Sequence, residues 1–341
     1  MRSTLRGPLG WALAAGLLIA ACGGGGGTAA SNAPKASGPR LGSFDRPISL
    51  AFTPSVQAAT ISTNSNAIKA ALEKATALAW KVTAMTSYAA QVEAMCSGSV
   101  DVGFFATIQM TLLVDKGCGT PVLGALRVDP VSKQLSTSYS SQILVRADSG
   151  ITDLNGLKGK KFAFVDPLSA SGYVYPTLTI KNKTGQEPKT FFSSTIFAGG
   201  HPQAALAVYQ GTVDGAATFI DVRTLQDGVT VAAGMPPDIL TKTKRIDTAG
   251  PIPNDGVAFA KNLPDDLAKQ VKQALIDYNK SDDGKKVLGA LYQWDGLQEI
   301  DAKFYDSMKD ALKLAGVDVQ GLANATPRPA PTPTPTPTKT P

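Results

Sequence analysis

The sequence predicts an α/β fold in two lobes, each a sheet flanked by helices, with a cleft between them. Short apolar runs of strand length alternate with stretches of helical spacing, the order that builds parallel sheets covered on both faces. Two such alternating units follow one another. A strand-like run and three helical stretches then return after the second, as a first lobe completed late in the chain requires. About 280 residues lie between two tails of biased composition, enough for two lobes.

The first unit opens at residues 48–53, an apolar run closed by Pro54 and read as a strand entering a loop. Residues 66–76 carry Ile68, Ala71, Leu72 and Ala75 at helical spacing. A short strand is predicted at 80–84. Ser87 is placed to cap a helix over 88–96. A strand at 100–105, a helix at about 108–116 and a strand at 121–128 follow. The second unit begins with a strand at 142–146 and a short helix at 152–157. It continues with a strand at 161–165, a helix at 171–182, a short strand at Phe191 and Phe192, a helix at 202–210 and a strand at 215–219. Another helix is expected from about Asp221. The segment Pro251-Ile252-Pro253-Asn254-Asp255-Gly256 interrupts the pattern, which resumes as a strand at 257–260. Helices near 265–278, 283–292 and 300–314 complete it. These assignments put 45–140 and 250–322 in lobe 1 and 147–248 in lobe 2, with two crossing strands as a hinge.

The two ends read differently. Arg2 and Arg6 precede an apolar stretch too short to span a bilayer, so 1–21 has the length and flanks of a secretory signal. It closes on Ile19-Ala20-Ala21-Cys22, which resembles a lipobox and makes Cys22 the expected lipidation site and membrane anchor. Gly23 to Gly27 open a flexible leash over 22–44. Residues 325–341 are rich in Pro and Thr, favour an extended chain and cannot build a core.

Composition excludes several function classes. The formal charge is +6, but the Lys and Arg residues are scattered, so no nucleic-acid partner is expected. The chain has a single histidine and no ligand cluster, so neither a metal nor a cofactor is expected. No G-x-S-x-G elbow accompanies His201, and no enzyme activity is expected. Cys96 and Cys118 remain after Cys22. Two readings fit them: a disulfide suited to an oxidising compartment, which is favoured, or two separate buried thiols.

Polar groups recur where strands give way to helices, the positions at which open α/β sheets bind ligands and helix N-termini attract anions. After 161–165 come Asp166-Pro167-Leu168-Ser169-Ala170-Ser171-Gly172-Tyr173. Ser169 and Ser171 offer hydroxyls and Gly172 allows close approach of an oxyanion; alternatively the serines simply cap the helix. His201, followed by Pro202, stands at the start of the next helix and can give one hydrogen bond to a ligand, or be structural. Asp221 can cap a helix or accept from a protonated ligand oxygen or an amine. In lobe 1, Tyr88 and Thr107 occupy equivalent positions after strands, and Tyr88 could equally belong to the core.

Three segments carry a resemblance: Lys161 to Tyr173, Phe197-Ala-Gly-Gly-His-Pro-Gln-Ala-Ala-Leu-Ala-Val208, and Gly211-Thr-Val-Asp-Gly-Ala-Ala-Thr218. Over about 48–316 the chain resembles the substrate-binding proteins of phosphonate, phosphite and phosphate ABC importers, the PhnD-like group. The resemblance implies a type II periplasmic-binding-protein fold with the ligand in the cleft. It matches Ser169 and Ser171 to hydroxyls on the phosphonate oxygens, His201 to a histidine on the same group, and Tyr88 to a tyrosine of lobe 1. Asp221 falls where the family often reads the rest of the ligand with an acidic residue. Two departures make the pocket less polar: Ala170 stands where many members have Thr, and Phe104-Phe105 where many have an aromatic hydroxyl. Thr107 or Gln109 could compensate. The implied protein is a monomeric, lipid-anchored, extracytoplasmic solute-binding protein serving an ABC permease and ATPase. Its ligand would be phosphonate, phosphite or phosphate. The alternatives are the same fold binding a sulfonate or a pyrimidine precursor, or a tethered sensor without a permease.

Overall fold

Among the described residues twelve strands fall into two sheets, and the chain's order through them decides where a site can form. The computed structural model describes residues 38–129, 133–225, 228–314 and 317–324. The expected signal, the Cys22 anchor, most of the leash and the Pro/Thr tail lie outside the described residues. From Pro39 onward the chain belongs to one unit.

The first sheet uses β1 Ile48–Phe52, β2 Trp80–Thr83, β3 Val102–Phe105, β4 Gly119–Val128, β5 Leu135–Ser136, β11 Gly256–Ala260 and β12 Gly296–Glu299. Its order is β12-β4-β11-β3-β1-β2, with β5 paired to β4. β1 runs parallel to β2 and β3, whereas β11 is antiparallel to β3 and β4. Successive side chains point to opposite faces. Ile48, Leu50 and Phe52 therefore pack with Ile68, Leu72 and Leu275, while Ala51 packs with Val92, Met95 and Ile108. Helices cover both faces, as the alternating pattern requires.

The second sheet uses β6 Ser138–Arg146, β7 Lys161–Phe164, β8 Ser194–Phe197, β9 Gly215–Phe219 and β10 Thr243–Pro253, in the order β10-β6-β9-β7-β8. β7 is parallel to β8 and β9, and β6 is antiparallel to β9 and β10. Phe162, Phe164, Phe191 and Phe192 fill one face; Ala163, Val165, Ala204 and Val208 fill the other.

Several elements differ from expectation. The helix expected at 66–76 starts earlier and spans Ala58–Thr76. Its first turns carry Thr60, Ser62, Thr63 and Asn64, which hide the apolar period. The expected interruption at Pro251 is strand: β10 continues to Pro253, with Ile252 opposite Tyr139. Prolines fit there because β10 is an edge strand with an irregular register between Ala249 and Ile252. Phe191 ends a one-turn helix, Pro188–Phe191, rather than lying in a strand. No helix begins at Asp221, whose φ of 62° is left-handed; the next helix is Ile239–Lys242.

The two sheets are joined by the segment from β4 to β6 and by the turn from β10 to β11. Asn254 ties them: its Nδ2 donates to Ala125 O (3.0 Å) and Ser136 O (2.8 Å), and its N–H to Thr137 O (2.9 Å). Cys96 and Cys118 are disulfide-bonded, with Cα atoms 4.9 Å apart. The bond links the end of helix Tyr88–Cys96 to the approach to β4.

Candidate functional site

Both sheets send strand ends toward one small cavity. Beyond β7 the chain turns at Asp166, whose Oδ1 accepts from Leu168 N at 2.8 Å. Burial pushes the Asp166 carboxyl up to about 6, against hydrogen bonds from the backbone of Leu168 and Tyr88. Ser169 then caps a single wide π-helical turn, Ala170–Val174, which passes into helix Tyr175–Thr184. The N–H groups of Ala170 and Ser171 lie in the first turn and have no intrahelical acceptor. Ser169 Oγ accepts from Gly172 N at 3.0 Å. Ser171 Oγ accepts from Tyr139 Oη at 3.3 Å, and Ser141 Oγ donates to Ser171 O at 2.6 Å. Each serine hydroxyl thus has an acceptor role filled by protein and keeps its own proton to give. Both serines line the cavity.

Gly172 does not line the cavity. Its conformation serves packing: a Cβ there would meet Val165 Cβ and Cγ2 at 2.5 Å. The glycine brings the turn onto β7 and leaves the serines facing the opening.

His201 is the first residue of helix His201–Tyr209, after Gly200. Its ring Nδ1 accepts from Phe219 N at 3.1 Å, which leaves the proton on Nε2. Nε2 faces Ser169 Oγ at 3.4 Å, and the ring lines the cavity. Burial, then the charge of Arg127, hold its pKa down to about 3. The residue is a neutral, oriented donor. Its backbone N–H also donates to Ser55 O at 3.0 Å, from the other sheet's side.

Tyr88 begins the helix capped by Ser87, whose Oγ accepts from Ala90 N at 3.1 Å. The tyrosine is 1% exposed, and its hydroxyl, on the cavity wall, has no protein partner among the described residues. Burial keeps the phenol protonated well above its ordinary range. Gln109, a candidate compensating donor, is instead internal: Nε2 donates to Tyr88 O at 2.8 Å and Oε1 accepts from Ala106 N at 2.8 Å. Thr107 is likewise displaced from the candidate set. Its hydroxyl donates to Pro253 O at 2.6 Å, behind the wall. Asp221 does not line this cavity; it lines an adjoining surface depression with Lys133, Arg245 and Gln293, which shares Arg127 and Tyr139 with the cavity wall.

Sequence reasoning missed Arg127, Tyr139 and Asp255, all on the cavity wall. Arg127 Nη2 donates to Asp255 Oδ2 at 3.1 Å, with both side chains largely buried. The guanidinium lies over the rings of Tyr139 (4.7 Å) and Phe219 (5.4 Å), and its Nε has no protein partner among the described residues. Burial pushes the Asp255 carboxyl up, while Arg127 pulls it back. Charge on the wall therefore balances, and the remaining polar groups are mostly neutral donors. Trp294, with an unpartnered Nε1, and Phe104 stack at 5.3 Å to complete the wall.

The cavity offers about 20 Å³ to the centres of water-sized atoms. A sphere of that volume has a radius of about 1.7 Å, slightly more than a phosphorus–oxygen bond, so the oxygens of one tetrahedral oxyanion fit around a central atom. Among the described residues no cluster of His, Cys, Asp and Glu suits a metal, and no helix is long and apolar enough to cross a membrane.

Two α/β sheets enclosing a small donor-lined cavity form the architecture of a two-lobed solute-binding protein. Residues 50–305 match the phosphonate family of ABC transporter periplasmic substrate-binding proteins, and the chain belongs to that family. It is 33% identical to the phosphate-import protein PhnD of Mycolicibacterium smegmatis over 208 residues, 59% of this chain and 63% of that protein. Identity to the phosphonates-binding periplasmic protein of Escherichia coli is 28% over 208 residues, 60% of this chain and 58% of the relative. The matches thus span less than two thirds of these relatives. The fold resembles a binding-protein component of an ABC phosphonate transporter from Pseudomonas aeruginosa, with a TM-score of 0.70 at 22% identity, covering 82% of this chain and 89% of that one.

Proposed function

We propose that this protein captures a small phosphorus oxyanion outside the cytoplasm and delivers it to an ABC permease and its ATPase, without covalent chemistry. The observation that carries the reading is the convergence of Ser169, Ser171, His201 Nε2–H and the unpartnered Tyr88 hydroxyl on one enclosed cavity. These neutral donors suit an anion whose charge is spread over several oxygens. The limited space favours phosphate, phosphite or methylphosphonate over a longer aminoalkylphosphonate. The relative named as a phosphate importer supports the same choice. Ile19-Ala20-Ala21-Cys22 supports tethering through a lipid on Cys22, with 1–21 removed. Residues 45–140 with 250–322, and 147–248, act as the two lobes closing over the ligand.

Isothermal titration with phosphate, phosphite, methylphosphonate and 2-aminoethylphosphonate tests the ligand class. Binding of one or more of the first three, and weaker binding of the fourth, is expected. No heat with any of them sinks the assignment.

A further inference from the structure

Asp166 is a buried carboxyl group, 5% exposed, with no cation paired to it among the described residues. It does not line the cavity but sits in the turn after β7 that presents Ser169 and Ser171 to it. One of its backbone donors, Leu168 N at 2.8 Å, belongs to the same turn. The other, the N–H of Tyr88, opens helix Tyr88–Cys96 on the opposite half. The turn is also pressed into that half, since Leu168 and Ala170 are buried with Tyr88, Val92, Phe105 and Ile108. When the halves meet, Asp166 therefore loses water and gains one hydrogen bond from a backbone amide. Burying a carboxylate without a counter-charge costs more than such a bond offsets. A protonated carboxyl escapes that cost. An anion held by Ser169 and Ser171 adds like charge nearby and favours the neutral form further.

We propose that Asp166 couples capture of the anion to uptake of a proton: its carboxyl is ionised while the halves stand apart and becomes protonated as they close on the ligand. This rests on the reading of the cavity as an anion site between closing halves. In the closed arrangement burial holds the carboxyl at about 6, and in water it returns toward its ordinary 3.8. The closed form thus binds more protons between those values, and falling pH favours it. The titratable side chain coupled to Asp166 is Tyr88, whose phenol stays protonated throughout. The other ionisable groups on the wall are Arg127, Tyr139, His201, Asp255 and Tyr292. His201 acts in the opposite sense, because burial keeps its ring neutral down to about 3. The ligand's own ionisation adds a further pH dependence. Wild type and Asp166→Asn share all of these, so the ratio of their affinities isolates Asp166.

The test is titration calorimetry of the full chain with phosphate, phosphite and methylphosphonate in turn, for wild type and Asp166→Asn, from pH 5 to 8. Asparagine imitates the protonated carboxyl. For each anion that binds, the ratio of wild-type to variant affinity should rise about tenfold between pH 7 and pH 5. Titrations at pH 5 in two buffers of different ionisation enthalpy should show wild type taking up about 0.8 proton more per ligand than the variant. A merely structural role for Asp166 would change affinity by the same factor at every pH. A ratio independent of pH, or equal proton uptake by the two proteins, overturns the proposal while leaving the anion site standing. Should the variant not fold, the backbone amide of Tyr88 decides. Its NMR shift in ligand-saturated wild type should titrate with a midpoint of about 6, and no titration above pH 5 overturns the proposal. If wild type binds none of the three anions, the reading of the site falls and this proposal with it.

Discussion

Replacing Tyr88 by Phe separates ligand binding from stability in one step. The ring is buried in the core beside Val92 and Met95, and Phe preserves that packing. Only the hydroxyl is lost, and it has no protein partner among the described residues. A hydrogen bond to a charged acceptor contributes about 1.5–3 kcal/mol, so losing it weakens oxyanion binding by about 10- to 150-fold. In the ligand-free protein the sign reverses. A buried hydroxyl without a partner costs about 1–3 kcal/mol, and Phe removes that cost wherever water does not already offset it. The variant should therefore be at least as stable as wild type when free. At a ligand concentration of 100 times the wild-type Kd, wild type gains about 2.7 kcal/mol. A variant losing 2 kcal/mol of binding has a Kd about thirtyfold higher and gains about 0.9 kcal/mol at that concentration. At roughly 2–4 °C per kcal/mol, the ligand-induced rise in Tm should shrink from about 5–11 °C to about 2–4 °C. Differential scanning fluorimetry with and without ligand measures both terms. Unchanged affinity, or a less stable free variant, refutes the placement of this hydroxyl on the ligand.

Further outcomes are expected elsewhere in the site and its frame. Gly172→Ala puts a methyl 2.5 Å from Val165 Cβ and 2.8 Å from Ser169 Oγ, so it should cost about 1–3 kcal/mol in urea unfolding and weaken binding as well. Normal stability would contradict that packing. The Cys96→Ser, Cys118→Ser double variant opens a link between cysteines 22 residues apart and should lose about 3 kcal/mol of stability. Because the bond lies at the opposite end of its helix from Tyr88, ligand affinity should stay within about twofold of wild type. The His201 pKa of about 3 lies below its ordinary 6.5, so the unfolded chain binds the extra proton. The stability this contributes is present above 6.5 and lost as pH falls toward 3. Asp166, at about 6 rather than 3.8, acts oppositely: its contribution is present below 3.8 and lost as pH rises through 6. The two slopes cancel between 3.8 and 6. Asp166→Asn should leave stability rising by about 1.4 kcal/mol per pH unit there, and equal slopes in both proteins, by urea titration at pH 4–6, would refute this.

The residues legible in the sequence are those whose role is fixed within a few positions of a strand end. Ser169, Ser171 and His201 each follow a strand and start a helical turn, so local pattern places them near the sheet ends. Arg127 and Asp255 are illegible on that basis. They meet across 128 positions, brought together by antiparallel β4 and β11, and neither sits in a short motif. Hydroxyls mislead for the complementary reason. Thr107 stands after a strand like the serines, but its hydroxyl donates its hydrogen bond to the carbonyl of Pro253, delivered by the returning chain. Gly172 looks like a concession to ligand approach and is a concession to Val165. Asp221 looks like a helix cap, and its positive φ shows only once the loop after β9 is built. Patterning thus conveys the alternation of strands and helices well. It conveys poorly which polar groups the protein itself consumes.

On the proposed function, that consumption also accounts for how a cavity with balanced wall charges would hold an anion and couple holding it to the approach of the two halves. Ser169, Ser171 and His201 come from the second sheet's side, Tyr88 and the Arg127–Asp255 pair from the first or the crossing. Direct bonds between the halves, such as His201 N to Ser55 O (3.0 Å), Gln57 Nε2 to Gly234 O (3.3 Å) and Gln293 Nε2 to Thr224 O (2.8 Å), end on backbone carbonyls that water could serve as well. Each is worth about 0.5–1.5 kcal/mol net, and Leu168, Ala170 and Val174 also pack against Tyr88 and Val92 across the halves. An anion that accepts from both sides adds hydrogen bonds of about 1.5–3 kcal/mol each, and gains all of them only when the halves meet. The ligand's differential affinity for the closed arrangement then sets the closure equilibrium. A cationic wall would attract anions with the halves apart and weaken that coupling. On the proposed function, fixed neutral donors, with His201 locked as a neutral ring by Phe219 N, would reserve most of the binding energy for the closed form.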